Sequence, residues 1–316
     1  MLPMEIIDLH KFEREEGISS PLSVALGNFD GVHIGHAALI SRAVEYAKEH
    51  GIKSAVWTFA DESAVLPNKP GVRCITTMRE KLELFKALGV DFVLLEEFSR
   101  VRDYSPEKFV QELLVGQCNA ACTVCGFNFR FGKGGVGDSD TLQKLMSPRD
   151  TVIVPPVYVG GQIVSSTLVR ERIENGDMES VAALLGRNFS VDLPVVEGKR
   201  LGRTIGVPTI NQNFAPGQVI PKGGVYACLV DIDGTEHIGV ANVGIRPTIK
   251  EDTHFVNCET HIVDYEGELY GKNVKVRFCL RLRDEMRFSH VDALGAQARC
   301  DIESAKEYFK SKQRTI

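Results

Sequence analysis

A chain of 316 residues is long enough for two domains, each burying its own core. Apolar residues make up 43% and charged residues 25%, the balance of a globular protein in water. The net charge of −5 argues against non-specific nucleic-acid binding, which basic surfaces drive, and no apolar run approaches the ~20 residues that span a bilayer. The first residues lack a basic start followed by an apolar core, so no signal peptide is expected and the cytoplasm is the expected setting. Eight cysteines are scattered along the chain and read as buried thiols rather than a disulfide framework.

The first element is the apolar run Val24-Ala25-Leu26, which enters Gly27-Asn28-Phe29-Asp30-Gly31-Val32-His33-Ile34-Gly35-His36. A helix pattern with Leu39, Ile40, Ala43, Val44 and Ala47 on one face leads out and stops at Gly51. Glycines permit a tight turn and close approach of a ligand, and a helix start carries unpaired N–H groups and partial positive charge. The combination reads as a phosphate cradle. Two plainer readings compete with it. The histidines could only cap the local backbone, or the pair could bind a metal, although no third ligand lies in the same turn.

Ile52 to Phe59 reads as a strand, Thr77 and Glu80 as a capping box opening a helix that ends at Gly89, and Val90 to Leu95 as a further strand. Ser105-Pro106 caps a helix carrying Phe109, Val110, Leu113 and Leu114. Cys118, Cys122 and Cys125 have the spacing of an iron–sulfur motif. They overlap a short buried strand, 120–125, on which Cys122 and Cys125 would face opposite ways. The spacing is read as a coincidence.

The loop Gly126 to Asp138 contains a formal Gly-x-Gly-x-x-Gly from Gly132 to Gly137. A dinucleotide fold needs this motif directly after its first strand; here six residues intervene and the strand is a late one, so such a fold is not expected. Asp138 also stands where a phosphate loop would carry lysine. A helix around 141–146 and a strand around 151–154 follow. Ser165, Ser166, Thr167 and Arg170 then cluster at a helix start, where a plain cap would explain one hydroxyl. Strand and helix alternate throughout this half, which predicts a parallel sheet, with ligands beyond the carboxyl ends of its strands.

Asn175-Gly176-Asp177 breaks one helix and caps another, which ends near Gly186. From Val191 the pattern changes to alternating runs, 225–232, 238–243, 255–263 and 274–282, with a hairpin turn at Asp233-Gly234. Strands without intervening helices predict an antiparallel barrel. A last helix would bury Val291, Leu294, Ala298, Ile302, Ala305 and Phe309. The boundary is placed at 186/187.

Thr209 and Asn211 lie two apart on an extended segment, so both side chains point one way and offer neutral oxygens to Mg²⁺. Read alone, Pro-Thr-x-Asn is more often an ordinary turn. Asn257, Glu259 and His261 share one face of a strand whose other face is Val256, Cys258, Thr260 and Ile262. That pattern alone describes a half-exposed strand.

The stretch Gly27 to His36 resembles the Gly-x-Phe-Asp-Gly-x-His-x-Gly-His signature of the nucleotidyltransferase superfamily. With Gly126-Phe-Asn-Phe-Arg-Phe-Gly132, Gly137-Asp138 and Ser165-Ser166-Thr167-x-x-Arg170 in this order, the first half is similar to bacterial FAD synthetases. The second half resembles the riboflavin kinase module. The matching pieces are Gly202-Arg203-x-x-Gly206-Val207-Pro208-Thr209-Ile210-Asn211, Pro221 to Tyr226, Asn242 to Thr248, Glu259-Thr-His261, Leu269-Tyr-Gly271 and Arg281-x-Arg283-x-Glu285-x-x-Phe288.

The resemblance implies a Rossmann-like nucleotidyltransferase domain followed by an antiparallel β-barrel with a terminal helix. It implies two reactions: riboflavin and ATP give FMN, and FMN and ATP give FAD and pyrophosphate. By the same resemblance, His33, His36 and Arg170 would act on ATP phosphates, with Gly27, Phe29, Asp30, Gly31, Gly35, Asn128, Ser166 and Thr167 binding nucleotide or flavin. Glu259 would be the kinase base and Thr209 and Asn211 the Mg²⁺ ligands. Gly202, Arg203, Gly206, Tyr270, Arg283 and Phe288 would bind ATP or flavin, although Tyr270 and Phe288 could equally be core.

One departure falls after the second strand of the motif-bearing half. The family has Thr-Phe-x-Pro-His-Pro, and this chain has Thr58-Phe59-Ala60-Asp61-Glu62-Ser63. Two acids there would repel phosphate unless a metal intervenes. This motivates a second reading, a riboflavin kinase with weakened adenylylation. A third is a flavin- or nucleotide-binding regulator without catalysis, against which Thr209, Asn211, Glu259, His33 and His36 all speak. Expected partners are the small molecules riboflavin, FMN and ATP, with no nucleic acid and no membrane; a homo-oligomer stays open.

Overall fold

The computed structural model describes residues 4–11, 18–60, 72–198, 201–214, 217–246 and 255–313. The segment Asp61-Glu62-Ser63 lies outside the described residues. The chain divides into two compact units, Met1–Ser166 and Thr167–Ile316.

The first unit runs β1 (Glu5–Asp8), β2 (Leu22–Leu26), α1 (Ile34–His50), β3 (Lys53–Phe59), α2 (Met78–Ala87) and β4 (Phe92–Glu96). It continues with α3 (Phe98–Val101), α4 (Pro106–Lys108), β5 (Ala120–Gly126), α5 (Ser139–Met146), β6 (Asp150–Val154) and the short hairpin β7 (Tyr158–Val159) and β8 (Gln162–Ile163). Six strands pair in the order β1-β4-β3-β2-β5-β6, and every pair is parallel. All five residues of β2 are buried because both faces are covered. Leu22, Val24 and Leu26 join a core with Phe109, Leu113, Leu142 and Met146, whereas Ala25 joins one with Ile40, Ala43, Val56 and Phe85. Each such large side chain, taken fully out of water, contributes about 1.5–3 kcal/mol.

The alternation settles the cysteine motif. Cys122 packs into the layer of Ile40 and Phe85, and Cys118 and Cys125 into the opposite layer. The three sulfurs do not converge. Seven of the eight cysteines are buried, and Cys300 is exposed.

The capping box at Thr77 and Glu80 forms as read, and Gly51 closes α1 in the left-handed conformation. The helix after Ser105 differs from an ordinary α-helix. Beyond α4 the turns widen into a π-helix over Phe109–Gln117, where Cys118 N–H reaches back to Leu113 O. The wider turn buries Gln117 alongside Phe109 and Leu113, and its amide donates to Leu9 O.

The second unit contains α6 (Ser166–Asn175, whose first residue closes the first unit), α7 (Met178–Leu185), β9 (Phe189–Pro194), α8 (Leu201–Thr204) and β10 (Thr209–Asn213). It goes on through β11 (Gly224–Ile232), β12 (Thr235–Arg246), β13 (Phe255–Ile262), β14 (Asn273–Arg283) and α9 (Val291–Gln313). Strands pair antiparallel in the order β10-β13-β12-β11-β14-β9. Its two edges are tied together. Val196, just past β9, bridges Asn211 of β10, and the buried Gln212 amide donates to Leu193 O and Val274 O at 2.7 and 2.8 Å. Asp233 and Gly234 take positive φ in the β11–β12 turn, as the hairpin signal requires.

The compact division falls after the first residue of α6, whereas the sequence pattern puts a boundary at 186/187. The reason is packing: α7 sits against β14 and β9. The last helix also differs in part. Ala305 is fully buried, but Val291, at its first turn, is 51% exposed, and Gly295 is buried instead.

Candidate active sites

In the first unit β2 and β5 are hydrogen-bonded neighbours at the point where strand order reverses, with β3 and β4 to one side and β6 to the other. Their carboxyl ends carry the Gly27 loop and the Gly126 loop. Together these line a cavity of about 890 Å³, at the place where open parallel sheets bind ligands.

The Gly27–His36 turn is held under strain. Phe29 and Val32 adopt positive φ, 54° and 38°, a conformation uncommon for any side chain and worst for a β-branched one. Four long-range hydrogen bonds secure it. Asp30 is 2% exposed and its Oδ1 accepts from Ile75 N–H at 2.9 Å and Thr76 N–H at 3.3 Å. Thr76 Oγ1 accepts from Gly31 N–H, and Ser166 Oγ donates to Asp30 O at 2.8 Å. A Cβ on Gly31 would also press to 3.0 Å of Ile75, at a φ of +81°. Asp30 and Gly31 therefore shape the loop from behind, and the cavity wall is made by Gly27, Phe29, His33, Gly35 and His36.

His33 is the N-cap of α1, its Nδ1 accepting from His36 N–H at 3.2 Å. Accepting at Nδ1 leaves the ring proton of the neutral imidazole on Nε2. The His33 and His36 rings stack at 3.6 Å, and Phe29 meets His36 edge-on at 5.3 Å. Burial holds His36 well below the ordinary histidine range, with His33 and Lys81 adding to the effect. His36 is thus neutral at physiological pH, and its buried Nδ1 has no protein partner among the described residues. A Cβ on Gly35 would lie 3.2 Å from the His33 ring. Capping and phosphate cradling are compatible here, and the metal reading gains nothing.

The rest of the cavity is aromatic. Trp57 meets Phe59 at 5.0 Å and Phe109 at 5.4 Å, and Phe129 stacks on Phe131 at 5.7 Å. Trp57 is 2% exposed, and its indole N–H has no protein partner among the described residues. Asn128 lies exposed on the wall and Ser166 completes it; Arg102, Arg130 and Lys133 supply positive charge. Asp138 is the N-cap of α5, accepting from Thr141 N–H and Oγ1, bonds that hold its carboxyl below the usual range. Gly137 has room for no Cβ, which would fall 2.7 Å from Phe131. The Gly-x-Gly-x-x-Gly thus serves local chain geometry. Thr167 and Arg170 belong to the second unit, where Arg170 is buried on α6. Lys81, which the sequence reading did not single out, is a 2%-exposed lysine donating to Asn28 O at 3.3 Å. Its signal was hidden in an ordinary amphipathic helix.

In the second unit the sheet itself brings the candidates together. Asn211 of β10 stands opposite Glu259 of β13, and Thr209 opposite His261. Directly opposite residues have Cβ atoms about 4.5–5.5 Å apart, so the amide and the carboxylate are immediate neighbours. Asn242 of β12 is the register partner of Glu259 on its other side. The Asn211 side chain fills space that only glycine leaves at 198, where a Cβ would come within 2.3 Å of Nδ2. Thr209 and Asn211 give two neutral oxygens at a two-residue spacing, a donor set that fits a hard cation keeping water and phosphate ligands. Gly202 and Val207 close a turn through Val207 N–H to Gly202 O at 2.8 Å, and a Cβ at 202 would fall 2.3 Å from Val207 O. Arg203 and Gly206 are exposed on the same turn.

Arg283 is committed elsewhere. Its guanidinium makes a two-pronged pair with Asp301 of α9, at 2.9 and 2.7 Å, and Gln297 supports the same carboxylate. Tyr270 and Phe288 are half-buried and lie outside the hydrogen-bonded cluster around Glu259.

A parallel sheet with a capped-helix cradle at its switch point, joined to an antiparallel sheet with paired oxygen donors and a carboxylate, defines a two-module transferase. The comparisons agree. Residues 16–168 match the FAD synthetase family model and residues 185–309 the riboflavin kinase model. A bifunctional riboflavin kinase/FMN adenylyltransferase of Listeria monocytogenes is 34% identical, covering 95% of this chain and 96% of its own. That of Escherichia coli K12 is 36% identical over 90% of this chain and 92% of its own. A solved structure named as a macrolide-efflux protein from Streptococcus pneumoniae is 29% identical, with a TM-score of 0.86, and covers 96% of this chain and 99% of its own. Among the described residues no helix is long and apolar enough to cross a membrane. The chain belongs to the bifunctional riboflavin kinase/FMN adenylyltransferase family.

Proposed function

We propose that the chain makes FMN from riboflavin and ATP in its second unit and adenylylates FMN to FAD, releasing pyrophosphate, in its first. The observation that carries this reading is the cross-strand pairing of Asn211 with Glu259, which sets a cation ligand beside a carboxylate. Glu259 accepts the proton of the riboflavin 5′-hydroxyl as that oxygen attacks the γ-phosphorus of ATP. Thr209 and Asn211 hold Mg²⁺, which when bound neutralises charge on the phosphates. Gly202, Arg203 and Gly206 cover the nucleotide, and Tyr270 and Phe288 flank the flavin.

In the first unit no protein nucleophile is needed. A phosphate oxygen of FMN attacks the α-phosphorus of ATP and pyrophosphate leaves. His33 and neutral His36 donate hydrogen bonds to phosphoryl oxygens, and the α1 N-terminus adds preorganised positive potential. The aromatic wall accepts a planar ring, and the orphan Trp57 N–H can be satisfied by a ring acceptor. Asn128 and Ser166 complete the nucleotide contacts. We take 186/187 as the functional boundary, next to the start of the riboflavin kinase match at residue 185. The setting is the cytoplasm and the partners are small molecules. Chromatography of flavins after incubation with riboflavin, ATP and Mg²⁺ tests the reading: FMN and then FAD are expected, FMN alone would remove the second reaction, and neither would remove both.

A further inference from the structure

The polar face of β13 holds more than the proposed base. Asn257, Glu259 and His261 share one face of β13, and each end of the Pro208–Asn211 segment is hydrogen-bonded to one of them. His261 Nδ1 lies 2.8 Å from Pro208 O, and a carbonyl only accepts, so that nitrogen carries a proton. Asn257 is 4% exposed, and its Nδ2 is shared between Asn211 Oδ1 at 3.4 Å and Glu259 Oε1 at 3.3 Å.

The direction of these bonds follows from chemistry alone. A carboxylate can only accept, so Asn257 must turn its NH₂ toward Glu259. The second hydrogen of that NH₂ then needs an acceptor, and the group within reach is the Asn211 amide, whose oxygen must face Asn257. The Asn211 Nδ2 is correspondingly the atom packed closest to Gly198. An asparagine whose amide could otherwise flip is therefore held in one sense, with an oxygen lone pair left over. The backbone of Asn211 is fixed independently by its bridge to Val196.

We propose that Asn257 is a positioning residue for phosphoryl transfer, fixing the Asn211 oxygen and the Glu259 carboxylate relative to one another through its two N–H groups. It touches neither substrate nor cation. The inference rests on the proposed roles of Asn211 and Glu259.

The test uses the full-length chain and Mg²⁺ as the probe. Asn257→Leu keeps the shape and removes both donors, and Asn257→Ser keeps one. For Asn257→Leu the Mg²⁺ concentration for half-maximal FMN formation, and equally the Mg²⁺ dissociation constant read by calorimetry in the presence of ADP and riboflavin, should rise about tenfold or more, the size expected for losing a partner behind a metal ligand. kcat should fall with it, and KM for riboflavin should stay within about twofold. Asn257→Ser should fall between wild type and Asn257→Leu, and it decides the matter if the leucine variant does not fold. Unchanged Mg²⁺ dependence in the folded variants would overturn the proposal, as would a change confined to riboflavin KM. Glu259→Gln, run alongside, separates the two levels. If that variant keeps kinase activity, the base assignment fails; if it is inactive while the Asn257 variants retain wild-type Mg²⁺ dependence, only the positioning role fails.

Discussion

In the parallel-sheet unit the candidate groups sit on turns, and in the antiparallel unit they sit on strands. His33 and His36 owe their placement to a backbone forced through positive φ at Phe29 and Val32 and anchored by buried Asp30. Asn211 and Glu259 owe theirs to register, with no unusual dihedral in either strand. A turn site has to be pinned by its own long-range bonds, here to Ile75, Thr76 and Ser166. A strand site inherits its geometry from the whole ladder, and one amide then sets its remaining freedom. The first arrangement tolerates few substitutions near the ligand but leaves the sheet unaffected; the second couples chemistry to sheet integrity.

The largest expected effect breaks one unit and spares the other. Glu259→Gln should lower FMN formation by about 10²–10⁴-fold, the range for losing a general base, while FAD formation from supplied FMN stays at wild-type level. Coupled assays with each flavin as starting substrate check it; loss of both activities would mean that the units do not act separately.

The next effect concerns stability. Removing Arg283 leaves Asp301, 5% exposed, without its two-pronged partner, and should cost about 3 kcal/mol, read from the urea midpoint of Arg283→Leu. Asp301→Asn should reproduce most of the loss. If Arg283 instead serves flavin, its substitution will raise riboflavin KM and Asp301→Asn will not.

Asp30→Ala should cost about 1–3 kcal/mol, because the Ile75 and Thr76 N–H groups lose a buried acceptor. FAD formation should fall while FMN formation persists, since Asp30 belongs to the turn site. Equal loss of both would show that the turn site and the strand site are not held independently.

The smallest effect is a pH dependence. Folded His36 titrates well below 6.5, so the unfolded chain takes up a proton there that the folded chain refuses. Its contribution is fully present above that pH and is lost as pH falls below it, by up to about 1.4 kcal/mol per pH unit. Urea midpoints measured at about pH 7.5 and 5.5 should therefore differ less for His36→Leu than for wild type. Parallel shifts would show that protons reach His36 in the folded state.

Much of this was legible in the residues. Alternation and turn chemistry were enough for the parallel sheet, the capping box at Thr77, the Asp233-Gly234 hairpin and the divergence of Cys122 from Cys125. Adjacency of the Gly27 and Gly126 loops followed from strand polarity, although nothing local could say that β2 and β5 would be neighbours. Pairings between distant strands were not legible. The facing of Asn211 with Glu259 depends on register across nearly fifty intervening residues, and the pairing of Arg283 with Asp301 on how α9 lies against β14. Asn257 could be assigned to a face but not to a partner. Lys81 was missed because a buried lysine and a solvated one look alike until the helix has a neighbour. The motif alone places Asp30 and Gly31 among the ligand contacts, whereas they form the back of the loop and do not line the cavity.

The distribution of sulfur has a practical use. Cys118, Cys122, Cys125, Cys228, Cys258 and Cys279 all have thiols pushed up by burial, Cys125 and Cys258 to about 12, and Cys74 is buried as well. Cys300 alone is exposed, on α9. Under native conditions a maleimide dye should therefore attach at one place, on the helix that covers β11, β12 and β14. The slower alkylation of the others would time the opening of each sheet separately, Cys122 and Cys125 for the parallel one and Cys228 and Cys258 for the antiparallel one. The unmodified chain already carries its own reporters of breathing.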